Sequence, residues 1–415
     1  MKKLLLLLII PFLSFGQEWI QTYGQGSGYY AIQRNDDGYA FIGDYASNGY
    51  FNISDENGNM IAQQILDDDY PLRLNCIQQT SDNGYIMVGT HYDFNGGETY
   101  TYGNVYKFND NGNLEWSISN EQVGRHYIEQ TNDGQFITIG TNSLTKISSS
   151  GDILWSNPTN SGNEVHQTND GGYIIASEGY DCAGLCIGKV TKTNSGGETQ
   201  WVYYYDIDIS GSISGGDTSP SVQQTADMGY IAIIDYSYQY FGNGMMGTYI
   251  VKLNSDGVQE WIQDINSTTM NFMPKRIRVT DDGGYVVAGS AWQEDVLGDE
   301  KGFIWVMKAD SNGEEQWSQF FYDSESCFGG WAESVEQTSD GGYIIAGWLD
   351  CEGFFGQNLM MKINEYGNIT STIEIPTINK NLITTVDILG RETNNKGFQL
   401  HIYDDGSVEK KYVIK

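Results

Sequence analysis

From residue 18 onward, apolar residues come in short alternating runs and never as long stripes at helical spacing. Runs such as Tyr343-Ile344-Ile345-Ala346-Gly347 and Tyr285-Val286-Val287-Ala288-Gly289 have strand length, and Asp-Gly-Gly precedes each. Gly takes the positive φ that a tight hairpin turn needs, so the pattern predicts antiparallel strands joined by turns.

The pattern recurs. QTSDGGYIIAG at Gln337 has counterparts starting at Gln33, Gln79, Gln130, Gln167, Gln224 and Val279, with spacings of 46, 51, 37, 57, 55 and 58 residues. A second unit alternates with it, as in YIVKLNSDGVQEW ending at Trp261. Its relatives end at Trp116, Trp155, Trp201 and Trp317, and degenerate copies without Trp span 50–62 and 358–371. Each repeat therefore predicts four strands. In the last one, strand A is Ser334 to Thr338, strand B Tyr343 to Gly347 and strand C Leu359 to Asn364. Four-stranded repeats of about 50 residues build the blades of a β-propeller. The expected fold is all-β, a seven-bladed β-propeller followed by a small C-terminal β tail. An open solenoid and a two-sandwich fold are the alternatives.

The last repeat lacks a Trp-bearing strand D. Glu18-Trp19-Ile20-Gln21 resembles Glu260-Trp261-Ile262-Gln263, so the N-terminal strand is expected to complete the last blade and remove an exposed edge. The recurrent Trp is expected to pack between neighbouring sheets.

The N-terminus reads as a secretory signal: Met1-Lys2-Lys3, an apolar run from Leu4 to Leu13, then Ser14-Phe15-Gly16. The run is shorter than the roughly 20 residues that span a bilayer, which disfavours the alternative of a membrane anchor. The expected layout is 1–16 signal peptide, 17–372 propeller and 373–415 tail. No transmembrane segment is expected after signal removal. The net charge is −32, or 20 − 54 = −34 without Lys2 and Lys3, which argues against nucleic acid as a partner. A monomer is expected.

The segment Gly-x-x-x-Trp resembles the tryptophan-docking repeat of quinoprotein-like propellers, matching at Gly112/Trp116, Gly151/Trp155, Gly197/Trp201, Gly257/Trp261 and Gly313/Trp317. The quinone enzymes of that group carry a vicinal Cys-Cys pair, which this sequence lacks, so no cofactor is expected. Asp387-Ile388-Leu389-Gly390-Arg391 and the stretch from Ile402 to Lys411 resemble C-terminal sorting tails of Bacteroidota proteins. Within that stretch Tyr403, Asp404, Asp405 and Gly406 carry the likeness. Such a tail implies export by type IX secretion machinery, a secreted or outer-surface location, and that machinery as a partner. An ordinary terminal hairpin is the alternative.

In a propeller the A–B and C–D turns share one face, and the B–C loops and D–A links share the other. The B–C segments 90–101, 177–185, 235–246, 290–301 and 348–356 vary widely and the D–A links 205–220, 265–275 and 321–333 vary too, so their face is the expected binding face. Tyr92, Tyr180, Trp292, Trp331 and Trp348 lie in or beside those segments and are candidate ligand-binding residues. Packing of these aromatics onto the rim is the plainer alternative. Four of the five cysteines map to the same face, and pairs Cys182–Cys186 and Cys327–Cys351 are expected in an oxidising compartment. Cys76 is expected as a buried thiol.

No catalytic constellation is evident. Four His do not fit a metalloprotease spacing, and no nucleophile elbow occurs. Asp55-Glu-Asn57-Gly58 and Asn109-Asp110-Asn111-Gly112 resemble calcium loops without the full ligand series, so turns and no metal are expected. The expected role is a binding module for glycan or protein. A polysaccharide-degrading enzyme and a structural or adhesive surface protein are the alternatives.

Overall fold

The computed structural model describes residues 18–413 except 67–70, 96–97, 142, 179–185, 207–211, 215–219, 241–242, 266, 268–269, 295–299, 322–326, 352–355, 370–381, 387–396 and 404–407. The proposed signal peptide lies outside the described residues. Every described element is a β-strand, and no helix there is long and apolar enough to cross a membrane.

The chain divides into Met1–Thr370 and Ser371–Lys415. The first unit is a ring of seven antiparallel blades, a β-propeller. Blade 1 runs Ser27–Gln33, Tyr39–Tyr45, Asn48–Ser54 and Met60–Leu66. Blade 2 runs Leu72–Gln79, Tyr85–Asn95, Glu98–Phe108 and Leu114–Asn120. Blades 3 and 4 have inner strands Tyr127–Gln130 and Glu164–Gln167. In blade 5 both Ser212–Ser214 and Ser221–Gln224 pair with strand B, Tyr230–Tyr240. Blade 6 begins with Asn271–Val279 and blade 7 with Cys327–Gln337.

The N-terminal strand Trp19–Gln25 pairs with Gln357–Ile363 of blade 7, placing Trp19 opposite Lys362. The first described strand is thus the outermost strand of the last blade, and the ring is stitched shut there.

Three recurring contacts explain the repeated residues. The recurrent Gln accepts a backbone N–H from the A–B turn of the preceding blade: Asn35 N donates to Gln79 at 3.0 Å, and Ser81 N to Gln130 at 2.8 Å. The contact recurs at Gln167, Gln224 and Gln337, and Ser339 N closes the circle onto Gln33 at 2.7 Å. Val279 replaces the Gln in blade 6 and has no amide to offer.

Second, each docking Trp reaches into the following blade. Trp116 Nε1 donates to Ser149 O at 3.1 Å, and its ring covers Gly151, where an added Cβ would sit 3.0 Å from the ring. Trp261 covers Gly313 likewise and meets Tyr285, with ring centroids 6.3 Å apart. The Gly and Trp of one sequence segment therefore belong to two different contacts.

Third, a strand-C Lys reaches the Asp of its own A–B turn. Lys107 Nζ lies 3.0 Å from Asp82, and Lys308 Nζ 2.9 Å from Asp282. The stems are buried while the carboxylates are mostly exposed. Asp282 thus holds a turn together, as does the turn Gly283 at φ 80°. Blade 1 swaps the parts. Ile53 stands where the Lys belongs, and Arg34 replaces the Thr that follows the recurrent Gln. Arg34 then pairs with Asp36 at 2.6 Å and donates to Ser54 O at 3.5 Å, the counterpart of the Lys107 bond to Phe108 O.

The B–C segments differ from the expected loops. In blades 2, 5 and 6 they are mostly paired strand: Tyr85–Asn95 continues in register with Glu98–Phe108, and Tyr230–Tyr240 with Asn243–Leu253. Tracts such as Thr99-Tyr100-Thr101-Tyr102 combine β-branched and aromatic residues, which suit a pleated surface. Strand A of blade 7 likewise starts at Cys327, well before Ser334. Segment 177–185 falls mainly outside the described residues.

The second unit holds an antiparallel three-stranded sheet of Leu382–Val386, Gly397–Tyr403 and Val408–Val413, with Gly397–Tyr403 in the middle.

Candidate ligand-binding site

Side chains alternate along a strand, so the positions one and three before the recurrent Gln share a face. That face is the wall of the central channel. The first position holds Ile32, Gln78, Glu129, His166, Gln223, Arg278 and Glu336. The second holds Tyr30, Cys76, Tyr127, Glu164, Ser221, Arg276 and Ser334. These are the positions at which the repeat does not repeat.

The wall residues form one network. Arg278 Nη2 lies 2.9 Å from Glu164 Oε1, and its Nε donates to Glu336 Oε1 at 2.8 Å. Arg278 also donates to Tyr30 OH at 2.7 Å, and Tyr30 OH donates to Glu336 at 2.6 Å. Glu164 accepts from Ser221 Oγ and from Val222 N, the latter at 3.0 Å. The Arg278–Glu164 contact is close but not aligned as a hydrogen bond, because Oε1 has no hydrogen-bond donor. His166 Nδ1 faces Glu129 at 2.6 Å, and Nε2 lies 3.3 Å from Glu164. Blade 2 joins through Gln78, which accepts from Gln130 N at 2.8 Å.

Charges in the wall are set by their neighbours. Burial raises the Glu164 carboxyl, but Arg278 and Arg276 outweigh it and hold it well below the usual carboxylate range. Burial likewise opposes charge on His166, yet the Glu129 and Glu164 carboxylates raise it to about 9. Burial keeps Tyr30 a phenol. Cys76 is a free buried thiol, pushed up to about 12 by burial.

A cavity of 570 Å³ opens among the A–B turns, with Arg34, Asn35, Gln79 and Ser339 at its rim and Glu129, His166, Arg278 and Glu336 beneath. Towards the other end of the channel, polar contacts link blades 1, 2 and 3. Asn75 Nδ2 donates to Thr90 Oγ1 at 3.0 Å and to Arg125 O at 2.8 Å, which sets blades 2 and 3 side by side. Arg125 donates to Thr101, the register partner of Tyr92, and to Thr141 at 2.8 Å. Arg73 is exposed and lies over the Tyr29 ring at 4.2 Å, and Tyr29 OH donates to Asp44 at 3.0 Å.

The described candidates lie on the extended strands of blades 2, 6 and 7. Tyr92 is half-buried, and its N–H donates to Pro71 O at 3.0 Å. Trp331 and Trp348 are cross-strand partners, stacked with centroids 4.0 Å apart and planes 9° from parallel. A Cβ on neighbouring Gly347 would lie 1.9 Å from Trp331 O, so only Gly lets the strands approach there. Trp292, half-buried in blade 6, pairs in register with Asn271 and Gly302. Tyr180 and Cys182 lie outside the described residues. Cys186 starts a strand opposite Asp206. Cys327 and Cys351 are backbone register partners. In the tail, Tyr403 pairs with Leu382, while Gly390, Arg391, Asp404, Asp405 and Gly406 lie outside the described residues. Among the described residues, no three His, Cys, Asp or Glu side chains gather as a metal site.

Sequence reasoning missed the arginines. The chain has six, and Arg73, Arg125, Arg276 and Arg278 all stand at the inner strands. The readable signal for Arg276 and Arg278 was the break in the repeat just before the position of the recurrent Gln.

The sequence matches no known family model and no curated protein. Among solved structures, the chain is similar to a protein of unknown function from Dyadobacter fermentans: 11% identity, 84% of this chain and 98% of that one covered, TM-score 0.47. It is also similar to a Lactobacillus plantarum protein, at 12% identity, 71% and 84% coverage and TM-score 0.46. A Penicillium chrysogenum alpha-L-arabinanase gives 10% identity, 83% and 98% coverage and TM-score 0.42. Likeness this remote transfers no activity.

Proposed function

We propose that this chain is an exported binding propeller that recognises glycan or protein through the face carrying its B–C hairpins. In this reading residues 1–16 start export, and the 373–415 tail hands the chain to type IX secretion machinery as in Bacteroidota. Cys182–Cys186 and Cys327–Cys351 are its proposed disulfides.

The observation that carries the binding role is the stacked Trp331–Trp348 pair, held half-buried on a paired-strand hairpin. A rigid aromatic platform binds at low entropic cost. The state of the channel carboxylates points away from hydrolysis. A glycosidase needs one carboxyl kept protonated as general acid. Glu164 is instead held ionised, and Glu336 is engaged by Arg278 and Tyr30.

The test is a glycan array and a reducing-sugar release panel run on the same purified protein. Binding without release, weakened by Trp348→Ala, is expected. Sugar release would overturn the binding-only role, and silence in both would favour a structural one.

A further inference from the structure

We propose that the channel mouth on the B–C hairpin side is a carboxylate site, and that the carboxylate belongs to an acidic sugar. This rests on the binding role above and names its ligand class.

Arg276 projects from strand A of blade 6 between two tyrosines. Its guanidinium carbon lies 5.8 Å from the Tyr30 ring centroid and 5.6 Å from that of Tyr127. The side chain is 12% exposed, and its Nε is buried with no hydrogen-bond partner. The nearest carboxylate, Glu164, is 4.0 Å from Nε and already faces Arg278 at 2.9 Å. A buried guanidinium with an unspent Nε–H is costly unless something accepts it. A carboxylate arriving along the axis offers the planar, two-oxygen acceptor that a guanidinium fork matches.

Arg125 and Arg73 stand on the same approach. Asn75 binds the Arg125 carbonyl at 2.8 Å, and Arg73 is two residues before Asn75 on its strand. His126 senses all three arginines. Burial, with Arg125, Arg276 and Arg73, pushes it down to about 4, so it is neutral near pH 7 and its Nδ1 faces Gly162 O at 2.9 Å. The chain carries a net charge of −32, so its overall field repels anions, and an anion that binds must be recognised at short range. Arg276 supplies the unspent donor there, while Arg73, which faces Asp44 and Glu333, and Arg125, bonded to Thr101 and Thr141, add positive charge around it. Half-buried Tyr92 beside them offers a ring face on which a sugar stacks, which favours a sugar acid over an acidic peptide.

The test is calorimetric titration of the full chain with trigalacturonate, neutral galactotriose and tri-glutamate. Trigalacturonate should bind at least about tenfold more tightly than galactotriose, a difference near 1.4 kcal/mol. Arg73→Gln and Arg276→Gln should each erase most of that preference. Arg73 stacks on Tyr29 and Arg276 is buried, so melting curves check both variants for retention of the fold. Equal affinity for acid and neutral sugar, tighter binding of tri-glutamate, or no effect of either variant would overturn the proposal. If an array glycan still binds and neither variant matters, the binding role stands and this site falls. If no array glycan or protein binds but trigalacturonate does, the site stands without the wider role.

Discussion

Arg278 and Glu164 face each other across the channel axis at 2.9 Å, one from blade 6 and the other from blade 4. Both are buried, and both have further partners in blades 1, 5 and 7. A charge pair so placed ties distant parts of the chain through the centre of the ring.

Removing Glu164 leaves two buried guanidiniums, Arg276 and Arg278, with only Glu336 to offset them. Glu164→Ala is therefore expected to cost about 3–5 kcal/mol in denaturant unfolding. The double variant Glu164→Leu with Arg278→Met, which removes both charges, is expected to lose less than Glu164→Ala alone. Additive losses would contradict the pairing.

The Trp261 ring covers Gly313 of the next blade and meets Tyr285. Trp261→Ala is expected to cost about 3 kcal/mol, the low end for a large aromatic because the ring is half-exposed. Gly313→Ala, with φ at 83° and a Cβ 2.7 Å from that ring, is expected to destabilise as well. A melting temperature unchanged in either variant would contradict inter-blade docking.

Arg34 in blade 1 performs the task that a strand-C Lys performs in the other blades. Arg34→Thr alone removes the second donor to Ser54 O and the pair with Asp36, and is expected to cost about 1 kcal/mol. Ile53→Lys in that background rebuilds the common arrangement and is expected to recover most of the loss. The coupling energy from the double-mutant cycle measures it, and a value near zero would show that the two positions are unrelated.

His166 is raised from 6.5 to about 9, by Glu129 and Glu164 against the opposing effect of burial. Its contribution, on the order of 3 kcal/mol, is fully present below pH 6.5 and is lost as pH rises through about 9. His126 is lowered to about 4, so its contribution has the opposite sense and is lost as pH falls from 6.5 through 4. Unfolding free energy against pH should therefore peak between the two limbs. His166→Gln should flatten the alkaline limb alone, and an unchanged alkaline limb would count against the Glu129–His166–Glu164 chain.

The propeller was legible because the repeat is written in residues that act within or between blades: the turn Gly, the recurrent Gln and the docking Trp. The closing strand was legible because Glu18-Trp19-Ile20-Gln21 copies the outer strands. The channel was not, since its residues sit at the two positions where the copies differ, and only ring closure gathers Tyr30, Glu164 and Arg278 from 248 residues of chain. The extended hairpins were missed because Tyr- and Gly-rich tracts read equally as loop or as twisted strand. Tyr92 was found for its variable surroundings, whereas Arg73 and Arg125 beside it lay in segments that looked like scaffold.

The central claim is that ligand meets the ring at its B–C hairpin face. The other candidate is the 570 Å³ cavity among the A–B turns. Hydrogen–deuterium exchange of the full chain, with and without the strongest array glycan at saturation, separates the two. The expected result is slower exchange at 71–75, 90–93, 125–126 and 348–351, with the A–B turns at 34–37, 81–84 and 339–342 unchanged. Protection confined to those turns would contradict the assignment and move the site to the opposite end of the channel.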